Sequence, residues 1–416
     1  MPQQPRRRRL PAASFSAANQ LDIVSLSRVQ FLAFRGPLYM RLLRVYSILC
    51  AIILFVALPA FAQTREADVK TAFARAQHLR HGINASIWFA QHASDYSAHH
   101  TDTETTSEDI AIMAKLGFDN VRVSVDPVPL EQSMEGHSDF LARLDKAVDT
   151  ILADGMAVEL DIHPEPPFKQ AVKTTGDGVD RFVAVWRRLA AHYADRDPER
   201  VFFEVENEPE VNDTYRWGGI QARVAATIRE VAPKHTIIAT GANWSDIQDL
   251  LAAEPLADGN VIYNFHYYDP HEFTHQGATW GSLYWTYEKK IPYPSDEAVM
   301  EDRLKQIPDA VSRYRVKSYW FDHWDANHIR LMIDSAGEWA RANNVPLICN
   351  EFGVFRQVVE PADRLRWIHD VRTALEANSI GWSMWDYHNG FGVAVKDANG
   401  KSVVDPGTVE ALGLKK

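Results

Sequence analysis

Cysteine is nearly absent from this sequence. Two occur in 416 residues, Cys50 and Cys349, and Cys50 falls in a segment with the features of a cleaved leader. A chain left with Cys349 alone cannot form an intramolecular disulfide, so a large hydrophobic core must hold the fold together. The sequence also contains no internal repeat and no low-complexity linker. These absences argue against a repeat protein and against a second domain.

A hydrophobic run long enough to cross a bilayer is also missing. The apolar stretch Ile48–Leu58 is shorter than the roughly 20 residues that a spanning helix needs. A short basic stretch opening at Met40 precedes it and Ala60-Phe61-Ala62 follows it, as in a secretory signal peptide. We therefore expect an N-terminal extension and signal peptide over 1–62, with the natural start at Met40 and cleavage before Gln63. The expected location is secreted or periplasmic, without stable membrane association; an N-terminal membrane anchor is the alternative.

Acidic residues outnumber basic ones beyond that segment. Residues 1–62 carry eight arginines and one aspartate, and removing them leaves 354 residues with a formal net charge of −18. Such a surface repels phosphate groups, which argues against nucleic acid or anionic membranes as partners. The remaining length is typical of one α/β barrel with insertions. Residues 63–416 are therefore predicted to form a single catalytic domain.

Short apolar runs alternate along the chain with amphipathic helical stretches. This order is typical of successive βα units that build a parallel sheet. Eight strands are predicted, and eight parallel strands close a (β/α)8 barrel, or TIM barrel. The predicted strands cover 82–87, 120–125, 156–162, 200–206, 236–241, 260–267, 346–351 and 380–385, and the helices cover 106–116, 138–154, 178–194, 217–232, 244–252, 326–343 and 361–377.

Polar and apolar residues alternate strictly in several of these strands. Alternate side chains share one face of a strand, so each polar set is expected to face the barrel axis. The sets are Arg122 and Ser124; Glu159, Asp161 and His163; Glu204, Glu206 and Glu208; and Asn264, His266 and Tyr268. We expect Glu159, Glu204 and Glu206 to form a satisfied internal hydrogen-bond network. The residues at the strand ends are expected to form a site at the C-terminal mouth of the barrel.

Two carboxylates end strands that face each other across the barrel. Glu208 ends strand four in Asn207-Glu208-Pro209, and Glu351 ends strand seven. Cleavage of a glycosidic bond needs one protonated carboxyl group and one ionised one. Arg122 and the Tyr268 hydroxyl are expected to donate to Glu351. A separation of about 5 Å predicts retention at the anomeric carbon, and one of about 6.5 Å or more predicts inversion; the sequence leaves this distance open.

The chain resembles glycoside hydrolase family 5, of the retaining (β/α)8 glycosidase clan, from His81 to Gly392. The motifs that match stand in the family's order: Gly117-Phe118-Asp119-Asn120-Val121-Arg122, Asp161-Ile162-His163, Asn207-Glu208-Pro209, His266-Tyr267-Tyr268, Asn350-Glu351-Phe352-Gly353 and Trp382-Ser383-Met384-Trp385-Asp386-Tyr387. The stretch Pro164-Glu165-Pro166-Pro167 departs from the pattern of many members, and it leaves the subsites formed after strand three undefined.

The resemblance implies roles for individual residues. Glu208 would be the general acid/base, Glu351 the nucleophile, and Arg122 and Tyr268 partners of the nucleophile. The remaining implied site residues contact the sugar: Asn207 at its 2-hydroxyl, His163 and His266 beside it and Trp385 as its stacking floor. No metal or other cofactor is implied.

The implied function is that of a secreted endo-β-1,4-glucanase acting on a β-glucan or related plant polysaccharide through a glycosyl-enzyme intermediate. An endo-β-mannanase or xyloglucanase of the same family is the alternative. Two further hypotheses come from other classes. One is a metal-dependent barrel hydrolase using Asp161, His163, His266 and Asp386, and the other is a carbohydrate-binding barrel without activity.

A long aromatic insertion follows strand six, over 269–325. Loops of this length in compact domains are usually functional or disordered, and the aromatic content argues against disorder. We expect a surface helix at about 296–314. The rings, among them Trp280, Trp285, Trp320 and Trp324, are expected either to wall the cleft or to pack the insertion onto the barrel.

Overall fold

The computed structural model describes residues 65–92 and 95–415. The predicted extension, signal peptide and cleavage site lie outside these residues. Within the described ranges, no helix has the length and apolar character needed to cross a membrane.

Eight parallel strands close into a barrel in sequence order, with β1 pairing with β8. The strands are β1 His81–Phe89, β2 Asn120–Val125, β3 Ala157–Ile162, β4 Val201–Glu204, β5 Thr236–Thr240, β6 Val261–Tyr267, β7 Leu347–Phe352 and β8 Gly381–Met384. Every predicted strand is present, and helices connect the strands. The predicted (β/α)8 fold is confirmed.

The predicted helices are also present, all of them within three residues of their expected ends. They are Ser107–Leu116, Phe140–Ala153, Gly176–Tyr193, Thr214–Val231, Ile247–Leu251, Ala326–Asn343 and Pro361–Ala377. The helix predicted for 244–252 starts later than expected. Asn243, Trp244 and Ser245 have φ angles of 51°, 72° and 57°, so they cannot belong to a right-handed helix. The helix begins only after Asp246, whose side chain accepts a hydrogen bond from the Gln248 amide.

The prediction missed several short elements. Three short helices open with proline in the first turn, Pro127–Met134, Pro166–Thr174 and Pro406–Ala411. Proline fixes φ near its helical value and has no amide hydrogen to lose, so it favours a helix start. The helix Ala98–Thr103, the 3-10 helix Ala76–His78 and a hairpin of β9 Ala394–Lys396 with β10 Ser402–Val404 also escaped prediction.

The strand faces divide the core as their alternation predicts. Val121, Val123 and Val125 belong to the main core between strands and helices, whereas Arg122 is buried inside the barrel among polar side chains. The barrel floor is a separate apolar cluster of Ala72, Ala76, Leu79, Ala157, Phe202, Ile238, Ile262 and Ile348. The first three of these precede β1, so the segment before the barrel closes its floor. The polar side chains inside the barrel therefore lie above this apolar floor, toward the C-terminal mouth; we call this region the upper interior.

The insertion after β6 folds into four short helices rather than one. They are His271–Thr274, the 3-10 helix Leu283–Tyr287, Glu297–Gln306 and Ala310–Phe321. The single helix predicted at about 296–314 is wrong because Pro308 lies inside it, and proline disrupts a helix interior. Some of the aromatic rings pack the insertion onto the barrel and others are left exposed, so each of the two expectations holds for different residues. Tyr293, Tyr319 and Trp324 are buried, whereas Trp280 is 47% exposed.

Candidate active site

Glu351 stands at the end of β7 and is held from two sides. Arg122 Nη1 lies 2.6 Å from its Oε1, and the Tyr268 hydroxyl donates to its Oε2 at 2.8 Å. Both contacts were expected from the sequence. Charge-assisted hydrogen bonds of this length are among the stronger ones in proteins. They fix the orientation of the carboxylate and stabilise its negative charge.

Arg122 is fully buried and connects Glu351 to the barrel interior. Its guanidinium also contacts Glu204 with two nitrogens, at 2.6 and 2.9 Å, and Asp161 at 3.0 Å. Burial opposes its charge, but the three carboxylates outweigh burial and raise the Arg122 pKa well above its usual value. Arg122 is therefore a permanent cation beneath the site.

Glu208 follows β4 at the opposite side of the mouth. Its φ angle of 44° is in the left-handed region, which is uncommon for residues other than glycine and concentrates at functional sites. Its Oε1 lies 3.1 Å from His266 Nδ1. Burial would raise the pKa of this carboxyl, but the bond to His266 and the charges of His266 and Lys169 outweigh burial and lower it to about 2.

His266 bridges the two carboxylates. Its Nδ1 is 3.1 Å from Glu208 and 3.4 Å from Glu351. Burial opposes a charged imidazole, but the two neighbouring carboxylates raise the His266 pKa overall. A proton held on the His266–Glu208 pair is therefore favoured on His266 while both carboxylates are negative.

The carboxyl separation decides between the two stereochemical outcomes. One oxygen of Glu208, one oxygen of Glu351 and one nitrogen of His266 all lie within 4.8 Å of one another. Carboxyl groups about 5–5.5 Å apart leave no room for a water between nucleophile and sugar, whereas inverting pairs stand about 6.5–9.5 Å apart. The geometry fits retention.

The other predicted site residues surround this pair. Asn207 Oδ1 accepts a hydrogen bond from Arg122 at 3.1 Å, and His163 Nδ1 lies 2.9 Å from Asp161. Burial lowers the His163 pKa to about 3, so its imidazole is neutral. The rings of His163 and Trp385 are stacked, with centroids 6.1 Å apart. All eight predicted residues thus meet at one mouth of the barrel.

The upper interior is less completely hydrogen-bonded than expected. Glu204 is satisfied by Arg122, Asn264 and Asn350. Glu159 Oε1 and Glu206 Oε2, however, have no hydrogen-bond partner among the described residues. Burial raises the pKa of each of these two groups to about 8. The expectation of a satisfied network is correct for Glu204 and wrong for Glu159 and Glu206, which avoid an unpaired buried charge by staying protonated.

A cavity of about 650 Å³ opens above the carboxylates. Residues that sequence reasoning did not assign to the site line it together with the predicted ones, and they include Trp244, Asp246, His271, His275 and Phe391. Trp244 lies in the loop that follows β5, four residues beyond its last residue, and the loops at the carboxyl ends of barrel strands usually form the site. That rule was the available signal for Trp244. His271 and Trp285 stack with their planes 4° apart, so the insertion supplies one wall of the cleft.

The metal-site hypothesis receives little support from the geometry. Among the described residues, the group that could hold an ion is Glu208, His266 and Glu351. The proposed set of Asp161, His163, His266 and Asp386 does not converge there. The Arg122 guanidinium, 2.6 Å from Glu351, already neutralises the carboxylate that a cation would need.

Residues 84–390, roughly three quarters of the chain, match the family model for cellulase (glycosyl hydrolase family 5). The chain belongs to glycosyl hydrolase family 5. It is therefore a glycoside hydrolase, and the resemblance found in the motifs is confirmed.

Similar proteins agree with this assignment. Endoglucanase C of Acetivibrio thermocellus is 29% identical over 315 residues, covering 74% of this chain and 90% of that protein. Cellodextrinase A of Ruminococcus flavefaciens is 28% identical over 314 residues, covering 72% and 82%. The crystal structure of endoglucanase Cel5A from Thermotoga maritima superposes with a TM-score of 0.66 at 25% identity, covering 82% of this chain and 99% of that one.

Proposed function

We propose that this family 5 enzyme is an endo-β-1,4-glucanase that works by double displacement with retention. The observation that carries the proposal is the carboxyl pair, with oxygens of Glu208 and Glu351 within 4.8 Å of one another and Glu351 held by Arg122 and Tyr268. The names of the similar proteins, two endoglucanases and a cellodextrinase, support the substrate class.

In the first step Glu351 attacks the anomeric carbon and forms the glycosyl-enzyme bond. The glycosidic bond breaks as Glu208 delivers a proton to the leaving oxygen. Arg122 and Tyr268 hold Glu351 so that one oxygen points at the sugar, and this orientation lowers the entropy cost of the attack.

The proton for this step comes from the His266–Glu208 pair. The 3.1 Å contact between His266 Nδ1 and Glu208 Oε1 is short enough for transfer within the pair. As the negative charge of Glu351 is consumed in the new bond, His266 loses one of the two carboxylates that raise its pKa. During the same displacement the proton moves to Glu208 and on to the departing sugar oxygen.

In the second step Glu208 is ionised and acts as a base. It removes a proton from a water that attacks the same carbon, and Glu351 leaves. His163, neutral because burial lowers its pKa, offers hydrogen bonds to the sugar without adding charge. Trp385 provides an apolar face for the ring, as aromatic groups with polar neighbours do in sugar sites.

Glu208→Gln and Glu351→Gln test the two assigned roles. Each variant should lose roughly 10³-fold or more of its turnover of soluble β-glucan, because each removes a group that acts in the transition state. Glu210→Gln, two residues beyond Glu208, is the matched control and should retain activity. Proton NMR of the first products should show the β-anomer. An α-anomer, or an active Glu351→Gln, would overturn the mechanism.

The substrate is tested on a panel of polysaccharides. We expect mixed-linkage and cellulose-like glucans to be cut faster than mannan, xyloglucan or xylan, with oligomers of several lengths appearing early. Early release of a single short product would indicate exo action instead, and faster cleavage of mannan would reassign the substrate.

We also propose that the enzyme is exported, with a signal peptide removed before Gln63. The support is the sequence pattern alone, a basic start followed by an apolar run and small residues. N-terminal sequencing of the protein recovered outside the cytoplasm should begin at Gln63. A mature protein that still carries residues 40–62 would favour the membrane-anchor alternative.

A further inference from the structure

Lys169 is a buried lysine beside the site that no motif accounts for. It lies on the helix Pro166–Thr174, directly after the proline-rich stretch where the sequence departs from the family pattern. Lys169 is only 6% exposed, and such burial is rare for lysine. A buried ammonium needs specific partners, so its contacts indicate its role.

The first partner is the main chain of Glu208. Lys169 Nζ donates a hydrogen bond to the Glu208 carbonyl oxygen at 3.0 Å. Glu208 has a φ angle of 44° and precedes Pro209, so the Glu208–Pro209 peptide is held in an uncommon orientation. A charge-assisted bond to that carbonyl keeps the peptide, and with it the side chain, in place.

The second partner is Trp244. Lys169 Nζ lies 5.3 Å from the centre of the Trp244 ring, within the range of a cation–π contact. The Trp244 amide donates to the Pro209 carbonyl at 2.9 Å. The Trp244 ring is half exposed and lines the cleft together with Glu208. One ammonium group therefore joins the segment that carries Glu208 to an aromatic wall of the cleft.

The helix that carries Lys169 is itself firmly packed. Phe168 is buried and meets Phe182 of the neighbouring helix edge to face, with centroids 6.2 Å apart. None of the ion pairs among the described residues includes Lys169. Its ammonium group therefore interacts with the Glu208 carbonyl and the Trp244 ring. That charge contributes to lowering the pKa of Glu208.

We infer that Lys169 is a positioning residue for the acid/base: it fixes the Glu208–Pro209 peptide and the Trp244 ring as one unit beside the cleft. This inference rests on the proposed function, in which Glu208 donates the proton. Lys169 does not touch the reacting atoms; it acts through Glu208.

Comparing kcat/KM on two substrates distinguishes a positioning role from general support of the fold. Soluble β-glucan needs a proton on its leaving oxygen, whereas dinitrophenyl β-cellobioside releases a phenolate that needs none. The neutral variants Lys169→Met and Lys169→Gln should lose roughly 10- to 100-fold in kcat/KM on glucan, part of the usual contribution of a general acid. On the aryl glycoside they should stay within about 3-fold of wild type, while Lys169→Arg should recover most of the glucan activity.

The pH profile supplies a second measurement. The ionisable groups around Glu208 are Asp161, His163, His266, Tyr268, His271, His275 and Glu351, and all of them remain in the variants. Loss of the ammonium removes one cause of the lowered Glu208 pKa. The alkaline limb of kcat/KM on glucan should therefore move to higher pH in Lys169→Met and Lys169→Gln but not in Lys169→Arg.

Equal losses on both substrates, an unmoved alkaline limb, or failure of both neutral variants to fold would show a merely structural lysine and overturn the inference. Glu208→Gln, assayed on the same two substrates, tests the proposed function separately. That variant should keep most of its kcat/KM on the aryl glycoside, which reports the first step, although its kcat should fall because the second step has lost its base. If its kcat/KM on the aryl glycoside falls as far as on glucan, the assignment of Glu208 as acid is wrong whatever the Lys169 variants do.

Discussion

Glu288, in the insertion after β6, is a buried carboxyl group that should make the enzyme less stable as the pH rises. Its side chain is inaccessible to solvent, and neither carboxyl oxygen has a hydrogen-bond partner among the described residues. Burial, helped by the charge of Glu272 and opposed by Arg315, raises its pKa to about 9. In the unfolded chain the same group has an ordinary value near 4.5.

The sign and size of the effect follow from these two values. Between pH 4.5 and 9 the folded protein holds a proton on Glu288 that the unfolded chain has lost, so stability falls as the pH rises. Each pH unit costs at most about 1.4 kcal/mol. From pH 5 to pH 7 the loss is therefore up to about 3 kcal/mol. Glutamine resembles the protonated acid and has no charge to bury, so Glu288→Gln should remove this loss.

The assay is thermal unfolding of wild type and Glu288→Gln from pH 5 to pH 8. The difference in Tm should grow with pH by roughly 5 °C, because about 4 kcal/mol is lost over these three pH units and each kcal/mol shifts the Tm of a domain of this size by roughly 1.3 °C. Glu301→Gln, an exposed change in the same insertion, is the control and should follow wild type. A constant difference in Tm between Glu288→Gln and wild type would show that Glu288 does not hold a proton in the fold.

Three further predictions concern the site and its surroundings. Tyr268→Phe should lower kcat/KM on β-glucan by roughly 10-fold or more with little change in Tm, because it deletes one hydrogen bond to Glu351; an unchanged rate would show that this bond does not act in catalysis. Trp280→Ala should leave Tm unchanged and raise KM, since its ring is 47% exposed on the cleft, whereas Trp324→Ala should lower Tm, since its ring is buried; the reverse pattern would exchange their roles. Prolonged dialysis against a chelator should leave activity unchanged, because the Arg122 guanidinium already neutralises the charge of Glu351; activity lost in chelator and restored by a divalent metal would revive the metal hypothesis.

The alternation of polar and apolar residues was enough to place most of the fold. Strand side chains alternate by geometry, so the valines of β2 had to face the helices and Arg122 the interior. Where the prediction failed, a local residue overrode the pattern. Pro308 divides the helix expected near 296–314, and the left-handed turn at Asn243–Ser245 delays the helix after β5.

The sequence by itself determined the order of strands and helices in the barrel, because strand periodicity and strand ends are local properties of the chain. The eight site residues were predicted from strand ends together with the resemblance to the family, and the structure brings them together at one mouth of the barrel. Only the tertiary structure decided the distance between Glu208 and Glu351, which depends on how the closed sheet is staggered. It also brought Lys169 and Trp244 together, although 75 residues separate them in sequence. Contacts between loops of different βα units follow no periodic pattern, since each loop is placed by its own packing against the barrel.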